Sequence, residues 1–405
     1  MVFSARANRL FDPPAEWARN ATRLFWLKLT LVLALAVSLL LAPKLWLSSR
    51  SYPLIAVSDG LPLIPFPIDY LCFFALLALL GPIACLSRCQ RWIAAFAVLL
   101  GLLSLWDQSR WQPPLYQYFF MLAALGFALG SRTSNEKDQW ALATCRVIVA
   151  STYFWGGLQK LNYTFFRQVF PWMVKPLVAY LPAAMTYPVY ALGLLVPFLE
   201  AGVGVALLMR RFRTPAVWIA LGMHTLIVLL LGPLGHNWDL LVWPWNIAMG
   251  CTVVILFFGA EEENFQAIAM ARRFLFGKVV LALFAVLPLL SFLDLWDAYL
   301  SWALYSGNTR YSVIYVSDAV RTQLPADVQA LVRREGDGRG ALHPFRWSMH
   351  DLKVEPYPEP RVYKQVARRV CRLTDDPAGV TLAIWGRPSL LDGTRRVTRY
   401  GCSDL

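Results

Sequence analysis

Three ionisable side chains in this sequence stand where charge is expensive. Lys160 closes the apolar run YFWGGLQKLN (153–162), Glu200 interrupts VPFLEAGVGV (196–205), and His224 interrupts ALGMHTL (220–226). A charged side chain near hydrocarbon costs roughly 2.5–3.5 kcal/mol on insertion scales unless it finds water or a partner. Desolvation favours the neutral amine of a lysine, and a neutral amine can take up a proton. The three residues are therefore candidates for proton transfer. The structural alternatives are a Lys160 that snorkels to an interface and a His224–Glu200 hydrogen bond that only fixes helix packing.

Spacing sharpens these assignments. Glu200 lies ten residues before the turn RRFR (210–213), and His224 lies eleven after it. In antiparallel neighbouring helices both sit about 15 Å from the turn, so they are expected to hydrogen-bond at mid-membrane and line one cavity. Arg146 precedes Lys160 by fourteen residues, roughly 21 Å of helix and less than the ~30 Å hydrocarbon core. One of the two then lies at membrane depth or faces a watery cavity, and Gly156–Gly157 let another backbone approach beside Lys160. At the same end as Lys160, WDQSRWQPP (106–114) supplies Asp107, Arg110 and Trp111, and LGHNWD supplies His236 and Asn237. Asp107 is placed to pair with Arg110 or to reach Lys160. With Tyr153 these form the candidate substrate- or cofactor-binding set, although Trp111, Trp238, Trp243 and Trp245 also suit an interfacial aromatic belt.

The elements that must position these groups read as membrane helices. Of 405 residues, 58% are hydrophobic and 16% charged, a composition for a polytopic membrane protein rather than a soluble domain. The net charge of +13 would suggest nucleic acid in a soluble chain. Here the arginines cluster beside apolar segments, and no nucleic-acid partner is expected. About nine apolar runs have spanning length, near 24–48, 67–87, 92–109, 114–131, 141–161, 185–209, 214–233, 239–259 and 276–298. The first follows a basic stretch and is too long for a signal peptide. The basic connections SRCQR (87–91), SRTSNEK (131–137), RRFR and ARRFLFGK (271–278) alternate. Together they predict a cytoplasmic N-terminus in the plasma or inner membrane. The expected fold is an all-α membrane bundle over 1–298 and a small extracytoplasmic α+β domain over 299–405.

That tail carries period-two patterns in RYSVIYVS (310–317) and VTLAIWG (380–386), helical patterns between them, and a DG turn at 392–393. Its two cysteines, Cys371 and Cys402, are expected to bridge if the tail is extracytoplasmic. Cys72, Cys85, Cys89, Cys145 and Cys251 have no metal-ligand spacing, and no metal is expected. The soluble-enzyme motifs GxSxG, P-loop and HExxH are absent.

The run RVIVASTYFWGGLQKLNYTFF (146–166) resembles the segment of vitamin K-dependent γ-glutamyl carboxylase that carries its catalytic lysine, with Lys160 at the matching position. WDQSRW (106–111) and LEAGVGVALLMRRFR…GMH (199–224) resemble an Asp…Arg-aromatic stretch and an acidic helix, basic turn and histidine helix of that family; WPWNIAM (243–249) matches more loosely. The shared unit is the horizontally transferred transmembrane (HTTM) domain, distantly related to the DoxX-like group, and the likeness spans roughly residues 20–260. It implies a lysine general base, a reduced quinone of vitamin K or menaquinone type, a secreted peptide or protein substrate, and a site facing the exterior. It does not reach the tail. Two further readings stand beside this enzyme: a non-catalytic quinone- or lipid-binding redox partner, and a transport or maturation factor whose buried charges form a path.

Overall fold

The computed structural model describes residues 20–58, 60–61, 64–130, 135–335 and 339–405; the basic stretch ahead of residue 20 and most of the 131–137 connection lie outside them. Up to residue 293 the chain is helical: α1 (Asn20–Leu41), α2 (Ile68–Cys85), α3 (Gln90–Trp106), α4 (Pro113–Ala128), α5 (Asn135–Gln159), α6 (Phe170–Val178), α7 (Thr186–Ala191), α8 (Val196–Leu207), α9 (Arg210–Leu231), α10 (Val242–Phe257), α11 (Gln266–Ala271) and α12 (Leu275–Leu293).

The expectation of about nine spans is corrected. Among the described residues four helices, α1, α2, α9 and α12, are long and apolar enough to cross a membrane. Counting Ala183–Leu194 and Val196–Leu207, bent by 42°, as one broken span makes five. The physical reason differs by helix. α3 and α10 have 17 and 16 residues, about 24–26 Å at 1.5 Å per residue, short of the ~30 Å core. α5 is 25 residues long but opens on NEKDQ and carries Arg146, and nearly all of it from Trp140 to Gln159 is buried in protein. Hydrophobic run length does not separate a helix that faces lipid from one sheathed by its neighbours.

α5 is the axis of the bundle, and α8 lies against it with backbone touching backbone. A Cβ on Gly157 would stand 2.4 Å from Ala201 N and 2.5 Å from Pro197 O; one on Gly204 would stand 2.6 Å from Ala150 O and 2.7 Å from Phe154 N. These close approaches set Glu200 of α8 beside the end of α5. Gly204→Ala is expected to force the two helices apart, with an overpacking cost of about 1–3 kcal/mol, read as a lowered thermal midpoint in detergent. Gly222→Ala, where a Cβ meets nothing within 4 Å, is the control.

At the far end of the bundle, buried arginines close helix C-termini. Arg23 donates to Ile255 O and, at 2.8 Å, to Phe258 O; Arg146 donates to Leu256 O at 2.7 Å and pairs with Glu262; Arg213 donates to Leu207 O at 2.9 Å and Ala260 O at 2.6 Å. Cations on terminal carbonyls satisfy orphan acceptors and complement the helix dipole. Arg146 thus has a packing role, and Lys160 lies toward the opposite end of α5.

The remaining residues build a five-stranded antiparallel sheet in the order β2-β3-β1-β4-β5. Its strands are β1 (Tyr311–Val316), β2 (Arg333–Arg334), β3 (Gly340–Leu342), β4 (Val380–Trp385) and β5 (Val397–Gly401). Ile314 stands opposite both Leu342 and Leu382. The last long helix, α16 (Pro360–Cys371), follows α13 (Asp318–Gln323), α14 (Ala326–Gln329) and α15 (Pro344–Asp351), and buries Val362, Val366 and Val370. Asp351 ties this unit to the bundle: it pairs with Lys44 at 2.9 Å and accepts from Ser51 N at 2.7 Å and Tyr52 N at 2.8 Å.

Cys371 at the end of α16 is disulfide-bonded to Cys402 beyond β5, across a separation of 31 residues. Loop-closure entropy for such a ring is about 3.5 kcal/mol. Thermal unfolding with and without reductant, and of Cys402→Ser, is expected to show the tail losing stability on this scale; an unchanged midpoint would mean the fold does not depend on the bond.

Candidate functional site

A cavity of about 210 Å³ lies between α5, α6, α8, α9 and α10 and under residues 302–305. Its walls are apolar, including Phe165, Phe170, Met173, Val196, Leu230 and Met249. Leu199 of α8 and Leu226 of α9 line it while 43% and 46% exposed, so its edge reaches the bundle's outer apolar surface. Four of the sequence candidates, Tyr153, Lys160, Glu200 and His224, line this one space.

Their pairing differs from the expected one. Lys160 lies just past α5, and its Nζ donates to Gly156 O at 3.0 Å and to Glu200, at 3.0 Å from Oε1 and 2.8 Å from Oε2. Glu200 therefore serves Lys160 rather than His224. The two side chains are 12% and 16% exposed, an ion pair largely out of water. His224 instead hydrogen-bonds Tyr153 through Nε2 and Asn246 Oδ1 through Nδ1 at 2.7 Å. RRFR opens α9 and the connection itself is 208–209, so Glu200 stands about 13 Å and His224 about 23 Å from the turn; the two differ in depth by about 10 Å, the rise that separates Lys160 from Tyr153.

The His224 tautomer follows from its neighbours. Asn246 Nδ2 donates to Val242 O at 2.8 Å, which leaves Asn246 Oδ1 as the acceptor facing His224. The imidazole then carries its hydrogen on Nδ1, and Nε2 accepts the Tyr153 hydroxyl proton. A neutral histidine and a donating phenol make a second proton-bearing pair in the cavity. Trp245, also in the lining, is held by its indole N–H on Gln117 Oε1 at 2.8 Å.

The other predicted site residues are elsewhere. Asp107 is wholly buried, pairs with Arg50 at 2.6 Å and Arg110 at 3.9 Å, and accepts from Ser109 N at 3.0 Å. Arg110 clamps the 45–46 turn and the end of α3 through Leu45 O at 3.0 Å, Trp46 O at 3.1 Å and Leu103 O. Trp111 donates to Ser104 O at 2.8 Å. None of the three lines the cavity; their role is to close the bundle end. His236 stacks on Trp172 with ring centroids 4.5 Å apart and bonds Trp172 O at 2.8 Å, while Asn237 takes a left-handed φ of 46° in the loop after α9. Both stand outside the lining.

Sequence reasoning missed the roof. Trp302, Leu304 and Tyr305 come from an irregular segment after α12 and close the cavity. Trp302 and Tyr305 hold φ of 64° and 53°, a strained region for bulky residues that costs of order 1–3 kcal/mol each. The Trp302 indole nitrogen and the Tyr305 hydroxyl are both out of solvent with no protein partner. No hydrophobic period marks this stretch, so nothing in the sequence signals it. Asn246 is equally silent, one amide in a largely apolar helix.

Among the described residues no group of His, Cys, Asp or Glu is arranged to hold a metal. The arrangement offers two proton-bearing pairs, Lys160–Glu200 and Tyr153–His224, inside walls suited to an apolar ring system. Protein-family models, curated proteins and solved structures yield no match to this chain.

Proposed function

We propose that the chain is an integral membrane protein of the HTTM type whose cavity performs quinol-linked proton chemistry resembling that of vitamin K-dependent γ-carboxylase. The observation that carries this reading is a Lys160–Glu200 ion pair set into an otherwise greasy cavity. A paired ammonium is not a base. In a low-dielectric site, however, the charged pair pays for two desolvated ions, and moving the proton to Glu200 gives a neutral amine beside a neutral acid. Entry of an apolar ligand removes the remaining water and favours that neutral form. Lys160 is then the proton acceptor and Glu200 the residue that holds its proton in reserve. Tyr153, oriented by His224, presents a phenol oxygen to the same space.

The orphaned polar atoms of Trp302 and Tyr305 fit a ligand with oxygen atoms on a flat apolar head, and the Leu199–Leu226 edge fits a hydrocarbon tail. A reduced quinone, when bound, would react with molecular oxygen to supply the strong base that removal of a glutamate γ-proton demands before carbon dioxide adds. A secreted peptide or protein carrying that glutamate is the proposed substrate class. The clustering of Arg210, Arg273 and the buried arginines at the end away from the tail supports a cytoplasmic face there, with the tail outside. The reading as a non-catalytic quinone- or lipid-binding partner of a redox enzyme is favoured by one fact: Lys160 is fully partnered.

Mass spectrometry of lipids that copurify with the protein tests both. A stoichiometric quinone is expected, together with quinol-dependent turnover that Lys160→Arg abolishes, because a guanidinium does not give up its proton. Quinone bound with no turnover selects the redox partner, and no quinone at all overturns both.

A further inference from the structure

The loop that joins β4 to β5 reads RPSLLDGT (387–394). Turn tips are normally built from Gly, Pro, Asn, Asp and Ser, yet this one carries two leucines at its tip. Leu391 is 90% exposed and Leu390 47%. The polar groups beside them close the loop on itself: Asp392 Oδ1 accepts from Thr394 N at 3.1 Å and from Thr394 Oγ1 at 2.9 Å, and Ser389 N donates to Thr394 O at 2.8 Å. The bundle fixes where the loop lies. Leu390 O accepts from Tyr163 N at 2.9 Å, and a Cβ on Gly393 would stand 2.7 Å from the Tyr163 ring. Arg387 donates to Ser291 O and, at 3.2 Å, to Trp296 O, and it pairs with Asp294 at 3.0 Å. Gln159, the last residue of α5, donates to Ser291 Oγ at 2.7 Å. The loop is therefore hung on the last turn of α12 and on the end of α5.

α12 is one of the four helices long and apolar enough to cross a membrane. Its Val286, Leu289 and Leu293, and Leu295 just beyond it, are exposed large apolar side chains. A single exposed leucine calls for no explanation. Here an apolar stripe runs along a spanning helix up to the turn from which the leucine-tipped loop hangs. We infer that Leu390 and Leu391 enter the leaflet at the tail's end of α12, so that the tail rests on the bilayer as well as on the bundle. Continuity with the stripe names lipid as the partner of this surface. Asp392 beside the tip limits the loop to the boundary between headgroups and acyl chains, the level at which amphipathic elements lie. The inference requires that α12 crosses the membrane and needs none of the proposed chemistry.

The test uses the full-length protein in phosphatidylcholine nanodiscs with one photoreactive side chain, Leu391→p-benzoylphenylalanine or, for comparison, Asp375→p-benzoylphenylalanine. Asp375 is exposed ahead of β4, at the opposite end of that six-residue strand, about 20 Å from the hairpin loop. After irradiation, mass mapping is expected to find phospholipid adducts at least tenfold more often from position 391 than from position 375. Should the first variant fold poorly, Leu390→p-benzoylphenylalanine reads the same loop. Adducts to a second copy of the chain in place of lipid overturn the inference. So does a lipid yield from the loop no higher than from position 375. No ligand of the cavity enters the measurement, so a failure here is separate from a failure of the quinol reading.

Discussion

Lys160→Met and Glu200→Gln are each expected to destabilise the bundle by about 3 kcal/mol, because each leaves one member of a nearly water-free ion pair without its partner. The double variant Lys160→Met/Glu200→Leu is expected to recover most of that loss, since an apolar pair of similar volume carries no desolvation cost. Activity should behave oppositely. Lys160→Arg, Lys160→Met and the double variant are all expected to lose quinol-dependent turnover by 10²–10⁴-fold, the range for a general base. Thermal unfolding in detergent and a turnover assay on the same preparations separate the two effects. A stable and active double variant would show that the pair is packing, and the proton-transfer reading would lose its centre.

Asp107→Asn carries the second large effect, and it is one of stability. Arg50 is 1% exposed at the side chain and has Asp107 as its ion-pair partner; Arg110 lies on the same carboxylate. Removing the charge strands two buried guanidiniums near residue 50 and the end of α3, at a cost on the order of 3–5 kcal/mol. Quinone occupancy per folded molecule should stay at the wild-type level. Occupancy that falls while the midpoint holds would return Asp107 to the binding site where its sequence context first set it.

The comparison of Lys160 with Asp107 shows what was legible in the sequence. A charge inside an apolar run is visible without any structure, and Lys160, Glu200 and His224 were each found that way. The equal depth expected for Glu200 and His224 is corrected, because RRFR is the first turn of α9 and the connection lies at 208–209. Partner choice is not legible either, since it depends on how α5 and α8 close on Gly157 and Gly204. Asp107 sits in an equally charged stretch, but its partner Arg50 comes from an irregular segment that no periodicity announces. The patterns at 310–317 and 380–386 lie on β1 and β4, where alternation is strong. The two- and three-residue strands β2 and β3 are too short to show any. The span count fails because run length hides where a helix ends and what covers it: α3 and α10 stop at 17 and 16 residues, and α5 is sheathed by its neighbours.

The sheathing of α5 bears on how the chain is made. A segment that starts on NEKDQ and carries Arg146 partitions poorly into a bilayer by itself, since each central charge costs about 2.5–3.5 kcal/mol during insertion. What lets α5 sit at the axis is company: Met121 O accepts from its Cys145 thiol, and α8 and α10 supply the partners of Lys160 and Arg146. Those partners are synthesised later, the last of them some 120 residues after α5 begins. Assembly at the ribosome therefore has to keep α5 out of the acyl chains, at the translocon or against a chaperone, until α8 and α10 emerge. The residue order that brings Lys160 to Glu200 also imposes a waiting step on biogenesis.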